Sequence, residues 1–140
     1  MDAGAAARPA ALGELDFAAW IWVSLAEDRA AARRVLAQKV AYYGHALGPL
    51  LWARLGLVRS DFDALEQAMM VERDEAKAIA LVDARMLRMG VVGGAHEVIE
   101  RLEPLVAAGA DHLSFGPPLG PDRLAAIRIL GQVIAHFRRQ

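Results

Sequence analysis

Met89-Gly-Val-Val-Gly-Gly-Ala-His-Glu-Val-Ile-Glu-Arg-Leu-Glu103 and, six residues on, Gly109-Ala-Asp-His-Leu-Ser-Phe-Gly-Pro-Pro-Leu-Gly-Pro-Asp122 decide how this chain reads. Met89–Val92 and His112–Phe115 are short apolar runs, and each is followed by a glycine-bearing turn. Beyond the first turn, Val98, Leu102 and Leu105 recur at helical spacing. A helix is expected from about Ala95 to Ala108, with Gly109 as its end signal. Pro104 inside it predicts a kink or an early stop. Beyond the second run, Gly116–Gly120 reads as a rigid loop, and Pro121 suits the first position of a last helix. That helix is expected to reach about Arg138, with Leu124, Ile127, Leu130, Ile134 and Phe137 on its buried side. Strand, turn, helix, repeated, implies parallel strands joined by right-handed crossovers.

Working outward, Phe17-Ala-Ala-Trp-Ile-Trp-Val-Ser-Leu25 is the clearest strand. It is apolar on both faces, as a strand buried under helices is. One face carries Phe17, Ala19, Ile21, Val23 and Leu25; the other carries Ala18, Trp20, Trp22 and Ser24. Trp20 is expected in the core. Glu27 and Asp28 precede a helix, where negative charge suits the macrodipole. Leu36, Val40, Tyr43 and Leu47 form its apolar stripe, and Gly48-Pro49 breaks it. Leu50–Leu57 suggests a short helix ending at Gly56. Ser60 is a candidate N-cap for a helix presenting Phe62, Leu65 and Met69. The charged run Glu72–Lys77 then separates it from a helix carrying Ile79, Val82 and Met86.

The chain has 140 residues, room for one domain. Hydrophobic residues make up 56 % and charged residues 24 %, which predicts a sizeable core and excludes disorder over most of the length. Sixteen basic residues against seventeen acidic ones give a charge of −1, so a general electrostatic grip on nucleic acid or an anionic membrane is not expected. The absence of cysteine excludes disulfides, thiolate metal sites and cysteine nucleophiles. No apolar run approaches about 20 uncharged residues, so no membrane span is expected. Residues 1–13 read as a flexible, Ala-rich lead-in, with Asp2 and Arg8 placed wrongly for a signal peptide, and a cytoplasmic protein is expected. Residues 14–140 read as the folded part.

Two loops carry the chemistry-bearing candidates. Gly93-Gly94 and Gly116–Gly120 each follow a strand and precede a helix. Backbone N–H groups there suit a phosphate, although ordinary strand-to-helix turns look the same. Trp22 and Ser24 share a strand face, so they are either core or the rim of a pocket at the strand's carboxyl end. Arg85 and Arg88 suit an anion or are simply solvated. His45, His96, His112 and His136 have no metal-ligand spacing, so no metal is expected.

The run Met89–Glu103, the run Gly109–Asp122 and the tail Ala125-Ala-Ile-Arg-Ile-Leu-Gly131 with Ile134-Ala-His-Phe137 together resemble the C-terminal end of luciferase-like monooxygenase family proteins. Within that family the likeness is to the group that reduces methylenetetrahydromethanopterin with the deazaflavin coenzyme F420. Phe17–Arg34 also fits; residues 48–88 match only in helical character. The resemblance implies an α/β fold, helix-rich, made of the C-terminal portion, about three βα units, of a (β/α)8 TIM barrel, which as a whole needs about 250 residues. It implies an oxidoreductase exchanging hydride through F420, or FMN in relatives, with a small-molecule substrate. Gly93, Gly94 and Ser24 are then expected to bind cofactor, and Trp22, Ser114, Gly116 and Pro117 to shape the substrate pocket. Gly93-Gly94-Ala95 departs from the family's usual Gly-Thr-Pro, which removes a hydroxyl cap and a helix-starting proline.

No residue stands out as catalytic. A partial barrel leaves an open edge and an uncovered apolar face, so the isolated chain is expected to be inactive, with a companion chain or a second copy completing the barrel. The alternative is a helical ligand-binding or dimerisation module without catalysis, which places Trp20 and Trp22 on a helix.

Overall fold

The computed structural model describes residues 7–13 and 16–138. Expectations for residues 1–6, at the start of the lead-in, lie outside the described residues. In the rest of that segment, Ala10–Leu12 makes one 3₁₀ turn, tied by the Arg8 guanidinium to the carbonyls of Leu12 and Gly13.

Three parallel strands form one sheet in the order β2-β1-β3. They are β1 Ala18–Leu25, β2 Gly90–Gly93 and β3 His112–Leu119. Trp20 and Trp22 therefore stand on a strand, and the helical-module alternative is overturned. β1 pairs Trp22 with Gly90 and Leu25 with Gly93 on one side, and Ala18 with His112 and Trp22 with Gly116 on the other. The amino-terminal ends of β1 and β3 are laced together. Asp111 Oδ2 accepts from the Phe17 N–H at 2.9 Å, the Phe17 carbonyl accepts from the Asp111 and His112 N–H groups, and Asp16 meets His112 Nδ1 at 2.7 Å.

Helices cover both faces. Helix α1, Arg29–Tyr43, follows β1 and is capped by Asp28, whose carboxylate accepts from the N–H groups of Ala30 and Ala31. A run of short helices follows: α2 Pro49–Leu55, α3 Asp63–Glu66, α4 Glu75–Leu81 and α5 Ala84–Leu87. They enclose Leu36, Val40, Trp52, Phe62, Leu65, Met86 and Met89 against Trp22 on one face. Helices α6 Ala95–Ala107 and α7 Arg123–Phe137 close the other face, packing Val98, Leu102, Ala126, Leu130 and Val133 on Val23, Leu25 and Val91. None of the described helices is long and apolar enough to cross a membrane.

Several local expectations are corrected. Trp20 is 61 % exposed, because α1 covers only the carboxyl-terminal half of its sheet face. The expected loop at Gly116–Gly120 is largely strand. The segment to Leu119 keeps pairing with β1, and β3 advances three residues while β1 advances two, which is a bulge. β3 is an edge strand, where prolines lacking an N–H are tolerated, and the Pro117–Pro118 bond is cis. Asp122, not Pro121, starts α7, accepting from the N–H groups of Leu124 and Ala125. The buried face of α7 is Ala126, Leu130 and Val133, while Leu124, Ile127 and Ile134 are exposed. The small Ala126 brings the helix close to the sheet, and this rotates the larger residues outward. Tyr43 leaves the α1 stripe for the surface, and Ala32, Ala37 and Ala41 join Leu36 and Val40 inside.

Ser60 caps nothing; the Val58 N–H is held by Asp61 Oδ2 at 2.8 Å and Ser60 lies within the turn Arg59–Phe62. The helix expected to carry Ile79, Val82 and Met86 is two helices. Val82 is extended, and Asp83 restarts the helix by accepting from the Met86 N–H at 2.9 Å.

Gly120 shows how closely the turn after β3 approaches β1. Its φ is +144°, and a Cβ there would lie 2.4 Å from the Leu25 carbonyl oxygen. Gly131, on α7, has open space around it. Gly120→Ala is expected to destabilise the fold by at least ~2 kcal/mol, and Gly131→Ala to stabilise it by ~1 kcal/mol, both read from urea unfolding.

Candidate functional site

The carboxyl ends of the strands bring Leu25, Gly93 and Leu119 to one end of the sheet. Parallel α/β folds bind ligands at that end, because helix N-termini and loops converge there. Of the two features described next, the first lies at that end and the second runs along α1.

The first is the Gly93-Gly94 turn. The Gly94 N–H donates to Glu97 Oε2 at 2.8 Å, and the Gly93 carbonyl accepts from the Ala26 N–H at 3.1 Å. Glu97 thus reaches back from the first turn of α6 and caps it, and Arg29 from the first turn of α1 pairs with the same carboxylate. The Gly94 and Glu97 N–H groups hold the Glu97 carboxyl below the usual carboxylate range. Partial burial opposes this and the Arg29 charge adds to it. A phosphate does not fit this turn as folded, since the carboxylate already uses the Gly94 donor. The Gly94 N–H expected to meet a cofactor phosphate is thus held by Glu97 in this structure.

The second is an open groove of about 310 Å³ between α1, α4 and the end of β3. Val35, Gln38, Lys39, Tyr42 and Tyr43 come from α1, Glu75 from α4 and Pro118 from β3. The Lys39 ammonium lies 3.9 Å from the Tyr43 ring centre and 5.3 Å from that of Trp22, where the aromatic faces attract a cation. Tyr42 and Tyr43 lean on each other with ring centres 4.8 Å apart. Gln38 Nε2 donates to Glu75 Oε1 at 3.0 Å, so the carboxylate is held at the groove wall. The groove offers a ring-sized slot with one cation, one anion and two tyrosine rings.

The residues expected from sequence are spread around this groove rather than gathered in it. Trp22 is only 5 % exposed and belongs to the core beneath Lys39. Ser24 is fully buried, not at a rim. Trp22 Nε1 and Ser24 Oγ are buried without a hydrogen bond. Ser114 is exposed on the same open sheet face as Trp20. Gly116 lies under the Trp20 indole, where a Cβ would come within 2.6 Å of Nε1. Pro117 is exposed, and it is its neighbour Pro118 that lines the groove. The residues missed from sequence are Gln38, Lys39, Tyr42 and Glu75. The Tyr42-Tyr43 pair after Lys39 was the available signal, an aromatic pair where the helix stripe called for one.

Of the two arginines weighed as anion ligands, Arg85 ties loops together. It donates to the Gly56 carbonyl at 2.7 Å and pairs with Asp83 and Asp61. The histidines are scattered, each beside a different carboxylate. Among the described residues, no three acidic or imidazole side chains converge as metal ligands.

Two outcomes follow from these contacts. Glu97→Ala is expected to lose about 1 kcal/mol at pH 7, the usual worth of a helix cap. Because the folded carboxyl is depressed, the Glu97 contribution is complete above the unfolded value, about pH 4.3, and fades as pH falls through the folded one. The wild-type and variant urea midpoints should therefore converge in that acid range. Ser24→Ala removes an unpaired buried hydroxyl, and its urea midpoint is expected to equal or exceed that of the wild type.

No family model matches the chain. The 5,10-methylenetetrahydromethanopterin reductase of Methanopyrus kandleri is 29 % identical over 140 residues, covering 99 % of this chain and 40 % of that protein. The enzyme of the same name from Archaeoglobus fulgidus is 28 % identical over 138 residues, covering 96 % of this chain and 42 % of that protein. The solved coenzyme F420 dependent tetrahydromethanopterin reductase from Methanopyrus kandleri superposes with a TM-score of 0.77 at 30 % identity, over 87 % of this chain and 35 % of that one. The chain thus spans about two-fifths of the length of the curated relatives it matches. By sequence along nearly its whole length and by fold over most of it, this chain is a relative of the methylenetetrahydromethanopterin reductases of the luciferase-like family, corresponding to one part of their barrel.

Proposed function

We propose that this chain forms the C-terminal part of a luciferase-like barrel in a cytoplasmic, coenzyme F420-dependent oxidoreductase whose small-molecule substrate belongs to the methylenetetrahydromethanopterin class. The observation that carries this reading is the joint likeness in sequence and fold to F420-dependent reductases across 87 % of the chain. F420 is preferred to FMN because the related solved structure is of a coenzyme F420 dependent reductase.

When bound, the deazaflavin supplies the hydride acceptor and donor. The chain's own residues orient and enclose. α1 and α4 form the wall of the groove, and Lys39 brings a positive charge to it above Trp22. The Gly93-Gly94 turn holds Glu97 and Arg29 in place of a cofactor phosphate. Ser24 sits too deep for direct contact and supports the sheet beneath the site.

The exposed Trp20 and Ser114 lie on a sheet face, and β2 and β3 each have one unpaired edge in this sheet. Further barrel strands would pair and pack there, supplied by a companion chain or a second copy. An exposed indole beside open backbone groups is a surface that association would cover.

The test is F420 turnover with methylenetetrahydromethanopterin, followed by the deazaflavin absorbance. The purified chain alone is expected to show none. Co-expressed with a polypeptide carrying the other three-fifths of the Methanopyrus kandleri relative, it is expected to turn over. Turnover by the purified chain alone overturns the need for a companion. A stable complex that leaves F420 unchanged overturns the oxidoreductase reading.

A further inference from the structure

Among the described residues β2 pairs only with β1, so its outer edge is free. Two open hollows meet along that edge. One, of about 340 Å³, lies on the α1 face, where Arg29, Arg33 and Arg88 line it. The other, of about 330 Å³, lies on the α6 face, where Arg88, Glu97, Glu100 and Arg101 line it. Arg88, Gly90 and Val92 line both, so the edge of β2 is the ridge between them. A strand added along this ridge sends its side chains alternately into the two hollows. The hollows differ in charge. Arg29 and Arg33 stand one helical turn apart on α1, and with Arg88 they give the first hollow three cations and no carboxylate. Arg29 pairs with Glu97, but no carboxylate among the described residues pairs with Arg33 or Arg88. In the second hollow, Arg88 and Arg101 are balanced by Glu97 and Glu100.

We propose that the outer edge of β2 takes an extended segment of another polypeptide that carries acidic side chains at every second position. The inference rests on the incomplete-barrel reading above for the edge being free, and it names the chemistry of the strand that fills it. The free main-chain groups of Gly90–Gly93 supply the pairing, and the arginines supply the selection. Acidic side chains at alternate positions reach the first hollow, where Arg33 and Arg88 offer uncompensated charge. The side chains between them enter the balanced hollow and are neutral. A second copy of this chain is the wrong partner. Two β2 edges meeting antiparallel in one sheet would set both three-arginine hollows side by side on the same face, where like charges repel. The arginines thus guard the edge against its own kind and leave it open to an acidic strand.

The probe is a fluorescein-labelled peptide, Glu-Thr-Glu-Thr-Glu-Thr, added to the full 140-residue chain and followed by anisotropy. It is expected to bind about fivefold or more tightly than Glu-Glu-Glu-Thr-Thr-Thr, which has the same charge without the alternation. The double variant Arg33→Ala, Arg88→Ala is expected to weaken it by about fivefold or more. Both arginines are exposed, so the fold is preserved. Arg128→Ala, exposed on α7 and lining neither hollow, is expected to leave binding unchanged. Hydrogen exchange adds a readout that a purely electrostatic contact would not move. The outer-edge amides of β2 are expected to slow on binding, and those of β3 to stay as they were. No binding, equal affinity for the block peptide, or an affinity unmoved by the double variant overturns the proposal. So does an equal loss with Arg128→Ala, or binding that leaves β2 exchange unchanged. None of these readouts needs F420 or methylenetetrahydromethanopterin. Failure of the oxidoreductase reading and failure of this proposal are therefore seen as separate results.

Discussion

The fold hangs on the hydrogen bonding of β1 along both of its edges. Each edge carries a parallel partner, β2 for four residues and β3 for most of its length. With both edges used, the two faces of β1 are left to organise the helices. Trp22 and Ser24 point to the layer built by α1 to α5, and Val23 and Leu25 to the layer built by α6 and α7. All four are at most 5 % exposed. A strand so enclosed has to be apolar in nearly every position, and that is why it was the plainest element in the sequence.

How much could be read in advance depended on whether the signal was local. The strands, the Gly56 and Gly109 stops and the acid before α1 are set by neighbours in the chain, and they lie where expected. The faces of helices are set by partners distant in sequence. Leu124, Ile127 and Ile134 have the right spacing for a buried stripe, but Ala126 allows the closest approach to the sheet and so turns them outward. Trp20 looked like core because indoles are rarely left in water, and it is exposed because the burial of its own sheet face is confined to the carboxyl-terminal half of β1. The groove was the least legible part. Its lining comes from residues 35–43, 75 and 118, which no single motif spans. Glu97 was visible in the sequence as a helix residue, but its return to Gly94 needed the turn geometry to be seen.

The inner face of the sheet carries an unusual expense for so small a domain. Trp22 Nε1 and Ser24 Oγ are both buried without a partner, and an unmade buried hydrogen bond costs ~1–3 kcal/mol. Apolar residues of similar shape would avoid that penalty. Both groups lie on the face packed by α1, where the positions of β2 and β3 beside Trp22 are glycines, Gly90 and Gly116, and those beside Ser24 are Val92 and Leu119. The glycines are filled by other side chains: Leu36 Cδ1 lies 2.8 Å from a Cβ position on Gly90, and the Trp20 ring fills the space over Gly116. The two unpaired polar atoms thus sit on one closely packed face, the one covered by α1.

The Glu97 cap gives the α6 N-terminus a ligand that can never diffuse away. A tethered group acts as if present at about millimolar concentration or above. Free phosphate or carboxylate metabolites must compete with that standing occupant before they reach the Gly94 N–H. The turn is consequently insulated from the anion content of its surroundings. Any effector acting there must first pull Arg29 and Glu97 apart, which would couple the entry of α1 to the entry of α6.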